Sequence, residues 1–346
     1  MKFIDLFAGI GGFRQGFESA GHECVFSSEI NEHCQAVYNN NFNEVPASDI
    51  TLINEKEIPN FDILLAGFPC QPFSISGYKK GFEDTRGTLF FDICRILEEK
   101  KPPIAVLENV KHLIHHDNGN TLKIIIKTLE ELGYYVEWKL LNAKNFGLPQ
   151  NRERIILIAT LLKPFDFSLI EEVETPMLEH FLDKEGSFEY LDKSEYTLID
   201  NPIKQKSGLI FAGYRNKNIW KKGVRPNTLH LSRVHRQPNR IYSVKGSHPT
   251  IPSQETSGRF FIYLPEEDKV RKLTLNECYK IMGFDDSFKR SEKIGEQYKQ
   301  IGNSVAIPMI KEIAKQLKNQ GFINDRQRKT IRPIQSLFEF QECSAS

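Results

Sequence analysis

Cys70 stands in GFPCQPFSISG (67–77), between Pro69 and Gln71-Pro72 and directly after the apolar run FDILLA. A thiol at the carboxyl end of a buried parallel strand lies where open α/β sheets bind ligands. The flanking prolines stiffen the loop and limit how the thiol points. That context favours a nucleophile over the ordinary alternative, a small buried hydrophobe. Glu108, in LENV (107–110), follows a second apolar run, IAVL. A carboxyl beside a buried strand keeps its proton to higher pH and can donate or share it; the competing role is a helix cap or an ion-pair partner. Arg152 and Arg154, in QNRERIILI (150–158), fall on one side at the start of a third strand. There they can hold a carboxylate, a phosphate or a base edge.

A fourth stretch, DLFAGIGGFRQG (5–16), places Gly9, Gly11 and Gly12 after a short apolar run. Glycines there let the backbone approach a ligand closely, and Glu29, 20 residues beyond Gly9, is spaced to reach ribose hydroxyls. The glycines suit a dinucleotide or S-adenosylmethionine alike. Asp49, in SDI, is either an acceptor for an adenine amino group or a turn cap. These residues need a sheet to hold them, and the chain supplies its pattern. Strand-like runs at 2–7, 24–30, 61–69, 104–110, 134–143 and 154–161 are interspersed with helix-like stretches at 31–42, 88–100 and 120–133. Such alternation predicts an α/β fold with a mainly parallel sheet covered on both faces. It stops near residue 162. From 201 to 265 the chain is rich in Pro, Gly, Asn and Arg with short β-like runs, which predicts a second, smaller, irregular β-rich domain. Helices are expected again at 274–284 and 304–320, and the polar, basic stretch from 321 is expected to fray.

With 346 residues, 40% apolar and including 25 Phe and 11 Tyr, the chain can bury a large core, which excludes disorder as the main state. No apolar run reaches the roughly 18 residues of a membrane helix, and MKFIDLFAGIGG is too glycine-broken for a signal peptide. Cysteines at 24, 34, 70, 94, 278 and 343 form no C-x-x-C pair. That spacing argues against a zinc site or a disulfide framework and for a reducing cytoplasm, so no metal is expected. The net charge of +1 hides segregation. Residues 161–200 hold eleven acids and three lysines, whereas 201–260 hold twelve Lys/Arg and one acid. The basic stretch is expected to face a polyanion, nucleic acid above all.

Taken in order, these blocks resemble the cytosine-5 DNA methyltransferase family, specifically its compact prokaryotic restriction-modification type. FAGIGG resembles its cofactor motif, PCQPFS its catalytic loop, ENV its acidic motif and QNRERI its arginine motif. DTRGTLFF (84–91), RKLTLNECYKIMGF (271–284) and QIGNSVAIP (300–308) match three further blocks. The likeness covers about 1–162 and 270–312, with the family's variable target-recognition region between. One departure is Ser48, where many members have glycine.

The resemblance implies a Rossmann-like, doubly wound methyltransferase sheet and S-adenosyl-L-methionine as cofactor, released as S-adenosyl-L-homocysteine. It implies that Phe7, Ala8, Gly9, Ile10, Gly11 and Gly12 line the cofactor, that Glu29 binds its ribose with Ile30 beside the adenine, and that Asp49 and Ile50 meet its adenine. Pro69, Leu89, Asn303 and Val305 would complete the pocket. Cys70 would be the nucleophile that adds to carbon 6 of a cytosine flipped out of duplex DNA, making carbon 5 reactive toward the methyl group. Glu108 would contact N3, and Arg152 and Arg154 would position the base, its phosphate or Glu108. DNA contacts are expected from Lys79 and Arg86 in a closing loop and from Arg215, Lys217, Arg225, Arg233, Arg236 and Arg240 in the basic region. The implied layout is a catalytic domain over 1–175 completed by 292–325, a target-recognition domain over 176–291, and a polar tail over 326–346. The expected molecule is a cytoplasmic monomer acting on double-stranded DNA, with no membrane attachment and with a cognate restriction endonuclease as a functional rather than physical partner. A tRNA cytosine-5 methyltransferase and a catalytically inactive DNA-binding relative are the alternatives. A nicotinamide-dependent oxidoreductase would leave PCQ, ENV and QNRER unexplained.

Overall fold

A computed structural model describes residues 1–69, 89–216, 228–254 and 260–322. Its larger sheet has six strands: β1 (Lys2–Leu6), β2 (Glu23–Ser28), β3 (Ile63–Gly67), β4 (Ile104–Val110), β5 (Tyr135–Asn142) and β7 (Glu153–Thr160), in the order β2-β1-β3-β4-β7-β5. The first four run parallel, and β7 is antiparallel to both of its neighbours. The mainly parallel expectation therefore holds with one reversed strand. Its cause is local: β5 returns into β7 without a crossover helix, and such a short connection makes antiparallel neighbours.

The central strands β1, β3, β4 and β7 are buried on both faces, so they read as nearly continuous apolar runs, whereas the edge strand β5 is partly exposed. Phe3, Ile63, Val106 and Ile156 point to one face and pack on α1 (Gly12–Glu18) and α7 (Ile307–Asn319). Ile4, Leu64, Leu107 and Leu157 point to the other and pack on α3 (Leu89–Lys100) and α4 (Asn120–Glu131). The α1–α7 crossing needs Gly16, because a Cβ there would lie 2.5 Å from Ile310 Cγ2. The remaining helix of this half, α2 (Glu32–Phe42), is capped by the Asn31 side chain.

The smaller sheet is built from β8 (Tyr196–Leu198), β9 (Phe211–Arg215), β10 (Arg240–Ser243), β12 (Phe261–Leu264) and β13 (Lys269–Lys272), in the order β13-β12-β10-β9-β8. A two-stranded ribbon ties it to the larger half: β6 (Gln150–Asn151) pairs in parallel with β11 (His248–Pro249). The expected helix at 274–284 is observed as α5 (Leu275–Lys280), and that at 304–320 is α7. Helix α6 (Ile294–Asn303) was not expected. Its sequence, IGEQYKQIGN, is short and mostly polar with a glycine near each end, which masks a helix in a single sequence; Tyr298 and Ile301 bury it against Phe260 and its neighbours. Among the described residues no helix is long and apolar enough to cross a membrane. The stretch 323–346, including the tail at 326–346, lies outside the described residues.

Candidate active site

The carboxyl ends of β1 to β4 open into a cavity of about 530 Å³. Its floor is the turn after β1. Phe7 and Gly9 take left-handed backbone angles (φ 56° and 57°), and Gly11, φ 85°, ends the turn as the N-cap of α1. A phenylalanine in that region is strained, and such strain persists only where the surroundings hold it. Here Ala8 N–H donates to Ser28 O and Gly11 N–H to Ala8 O, both at 2.9 Å. Glu29, just past β2, receives Gly9 N–H and Asn31 N–H at 2.8 Å on its two oxygens. Its carboxylate is thereby fixed in the cavity wall. A Cβ at Gly9 would meet nothing within 4 Å, so the space over this turn is open. At Gly12 a Cβ would come 2.7 Å from Ser304 Oγ and 2.9 Å from Val305 Cγ2; its absence lets the loop between α6 and α7 close one side.

Phe7, Ala8, Gly9, Ile10, Gly12, Glu29, Ile30, Asp49, Ile50, Pro69, Leu89, Asn303 and Val305 all line this cavity. Gly11, expected among them, does not: it faces the other way, where a Cβ would lie 2.3 Å from the Phe42 ring. Asp49 proves to be a turn cap as well as a wall residue, accepting from Thr51 N–H at 3.0 Å and Thr51 Oγ–H at 2.8 Å. Arg95 of α3 holds that turn by donating to Ile53 O at 2.9 Å. The sequence reading missed Asn31, Ser48, Asn109, Lys299 and Gln300, which also form the wall. Asn31, Ser48 and Asn109 were discoverable as neighbours of residues already singled out; Lys299 and Gln300 sit on the unexpected helix α6.

The acidic end of the cavity is formed by β4 and β7. Glu108 pairs in register with Gly67 on one side and Ile156 on the other, and only 8% of it is exposed. Burial pushes its carboxyl above the usual range, while the charges of Arg154 and then Arg152 oppose the shift. Arg154 Nε lies 2.8 Å from Glu108 Oε1, so this pair shares the cavity with Glu29. Asn109 Nδ2 donates to Phe68 O at 2.8 Å, fixing the chain before Pro69. Cys70, Lys79, Arg86, Lys217 and Arg225 lie outside the described residues.

Arg152 departs from expectation. It is fully buried at the step between β6 and β7, within electrostatic reach of both Glu108 and Arg154. Its guanidinium donates to backbone carbonyls: Gly302 O at 2.8 Å, Ser304 O, and Ile251 O at 3.5 Å. Among the described residues, Arg215, Arg233, Arg236 and Arg240 lie on the smaller sheet and its loops and not in the cavity wall. Arg215 stacks over the Phe261 ring at 4.5 Å. Arg240 Nε donates to His235 O at 3.0 Å, and the His235 ring stacks on Tyr214 with centroids 4.0 Å apart. Arg233 and Arg236 are exposed.

A parallel sheet with a glycine turn after its first strand, an acid fixed past its second and a cavity across its carboxyl edge defines a Rossmann-like S-adenosylmethionine-dependent methyltransferase fold. The same fold is found in the S. pombe Dnmt2 methyltransferase, with a TM-score of 0.65, 19% identity and coverage of 93% of this chain and 100% of that one. Residues 1–319 match the C-5 cytosine-specific DNA methylase family, and the chain belongs to that family. It is 43% identical over 325 residues to the Type II methyltransferase M.HhaI of Haemophilus parahaemolyticus, covering 91% of this chain and 93% of that protein. To the Type II methyltransferase M.HaeII of Haemophilus aegyptius it is 41% identical, covering 96% and 97%. The chain is thus a sequence-specific DNA (cytosine-5) methyltransferase of the restriction-modification type, with S-adenosyl-L-methionine as its methyl donor. The cavity fits that donor. Its size is that of a cofactor site, the space over Gly9 is open, and the Glu29 carboxylate is held ready for hydroxyls.

Proposed function

We propose that the cavity binds S-adenosylmethionine with its ribose on Glu29, its adenine between Ile30 and the Asp49–Ile50 turn, and its methionine end toward Asn303, Val305 and Leu89. What carries this reading is one arrangement: the Glu108–Arg154 pair and the Glu29–glycine turn face the same cavity. Bound there, the cofactor supplies an electrophilic methyl group. The protein's part is to make carbon 5 of cytosine nucleophilic. The Cys70 thiolate forms a bond to carbon 6 while Glu108 gives a proton or hydrogen bond to N3, and ring electrons move toward carbon 5. After methylation a base, water or a loop group, removes the proton from carbon 5; electrons return to the ring and the Cys70 bond breaks. Arg154 orients Glu108 and limits its rise in pKa. The cytosine must leave the duplex to reach these groups, at a cost of a few kcal/mol in stacking and pairing.

The domain roles follow from this reading. Residues 1–175 with 292–325 form the catalytic unit, and 176–291 the target-recognition unit, whose Arg215, Arg233, Arg236 and Arg240 meet DNA together with Lys217 and Arg225. Lys79 and Arg86 belong to the segment after Cys70 and act with it on the DNA. The protein works as a cytoplasmic monomer that marks a short duplex site and protects it from a cognate endonuclease.

The test is duplex DNA carrying 5-fluorocytosine at the site found by bisulphite sequencing. Fluorine cannot leave as a proton does, so a covalent adduct that survives denaturation is expected from the unaltered protein and none from Cys70→Ala. An adduct recovered from Cys70→Ala would overturn the nucleophile.

A further inference from the structure

Arg152 is the odd member of the arginine motif: its charge acts on Glu108 from nearby, but its hydrogen bonds go to backbone carbonyls. It sits where three stretches distant in sequence meet. From the strand side come Gln150, Asn151 and Arg152. The smaller half brings Thr250, Ile251, Pro252 and Ser253, and the cavity wall brings Gly302 and Ser304. The contacts are close and largely with backbone. Besides the three carbonyls taken by Arg152, Gln150 Oε1 accepts Ile251 N–H at 3.2 Å, and Thr250 Oγ–H donates to Asn151 O at 2.8 Å. Gly302 presses so tightly on the smaller half that a Cβ would lie 2.4 Å from Ser253 Cα. The carbonyls that hold Arg152 belong to residues flanking Asn303, and Asn303 and Val305 line the cavity.

A buried guanidinium bonded to carbonyls of two separate loops fixes their relative position more firmly than apolar packing does, because losing either loop leaves a desolvated cation short of acceptors. Anything that orders the end of α6 and the Ser304–Val305 turn therefore favours the placement of the 250–253 segment, and the reverse follows by linkage. We propose, taking the cavity as the cofactor site, that Arg152 is a positioning residue that couples cofactor binding to DNA binding by locking the cavity wall to the segment leading into the recognition sheet.

The test compares the affinity of S-adenosylhomocysteine, by calorimetry, for the free protein and for the protein saturated with a duplex oligonucleotide carrying its site. Coupling of about tenfold is expected in the unaltered protein, within the usual range for linked sites. Arg152→Lys and Arg152→Met are expected to reduce that ratio at least fivefold. Should both fail to fold, Thr250→Val removes one hydroxyl bond at the same junction and is expected to reduce the ratio about twofold. A residue that only supports the fold would weaken both affinities and leave their ratio alone. That outcome, a ratio near one in the unaltered protein, or an undiminished ratio in Thr250→Val would each overturn the proposal. If the unaltered protein does not bind S-adenosylhomocysteine at all, the reading of the cavity fails instead.

Discussion

Glu108 loses most of its water when β4 takes its place between β3 and β7, and keeps Arg154 at 2.8 Å. Desolvation outweighs the cation, so the carboxyl holds its proton to higher pH than an exposed glutamate. Both signs follow. The stability tied to this group is fully present below the ordinary glutamate range and is lost as pH rises through the elevated value. Activity that needs the proton declines over the same upper interval. Glu108→Gln, which cannot ionise, is expected to lower turnover about 100-fold or more and to abolish this alkaline decline in the pH profile of kcat. A variant that loses rate but keeps the decline would assign the titration to another group. In the proposed mechanism Cys70 attacks as thiolate, which imposes the opposite trend, so on that reading the two residues together bound a window of pH.

At the scale of elements, α5 is held by a buried ion pair rather than by length, for it has only six residues. Arg271 of β13 meets Glu277 of α5 through two bonds, Nη2–Oε1 at 2.6 Å and Nη1–Oε2 at 2.9 Å, and both residues are almost fully buried. Glu277 also completes a capping box with Thr274 and accepts Asp183 N–H at 2.9 Å. Arg271→Met leaves that carboxylate buried without its cation and is expected to cost about 3–5 kcal/mol, read from urea unfolding. Arg271→Met combined with Glu277→Leu removes both charges and is expected to recover most of the loss. If the single variant unfolds at the same urea concentration as the unaltered protein, the pair contributes nothing.

For the whole molecule, the deciding quantity is the distribution of charge. The acids of 161–200 and the cations of 201–260 nearly cancel in the total of +1, yet along the chain they fall on opposite sides of one boundary. DNA affinity should therefore fall steeply with salt, log Kd changing by about 0.9 per phosphate contacted for each unit of log salt. Arg233→Ala is expected to lower that slope by about 1, measured by fluorescence anisotropy on the duplex site. A flat salt dependence would remove the basic region from the interface.

The chemistry was legible in the chain because it rests on local pattern: apolar runs that must be strands, glycines at the turn after the first of them, and acids one residue past or within a strand end. Glu108 could be singled out by its place after an apolar run, Glu29 by its spacing of 20 residues from Gly9 and Asp49 as a turn or an adenine acceptor, while Ile50 and the reaction itself came from the family resemblance. Tertiary packing settled what local pattern could not. Whether Gly11 faces the cavity or Phe42, and whether Arg152 bonds a ligand or the carbonyls in the seam between the halves, depends on contacts with segments distant in sequence. Helix α6 is stabilised chiefly by what Tyr298 and Ile301 bury, and the neighbours that bury them come from another part of the sequence. Periodicity records which residues avoid water; which residues they meet there is decided only when distant segments close on one another.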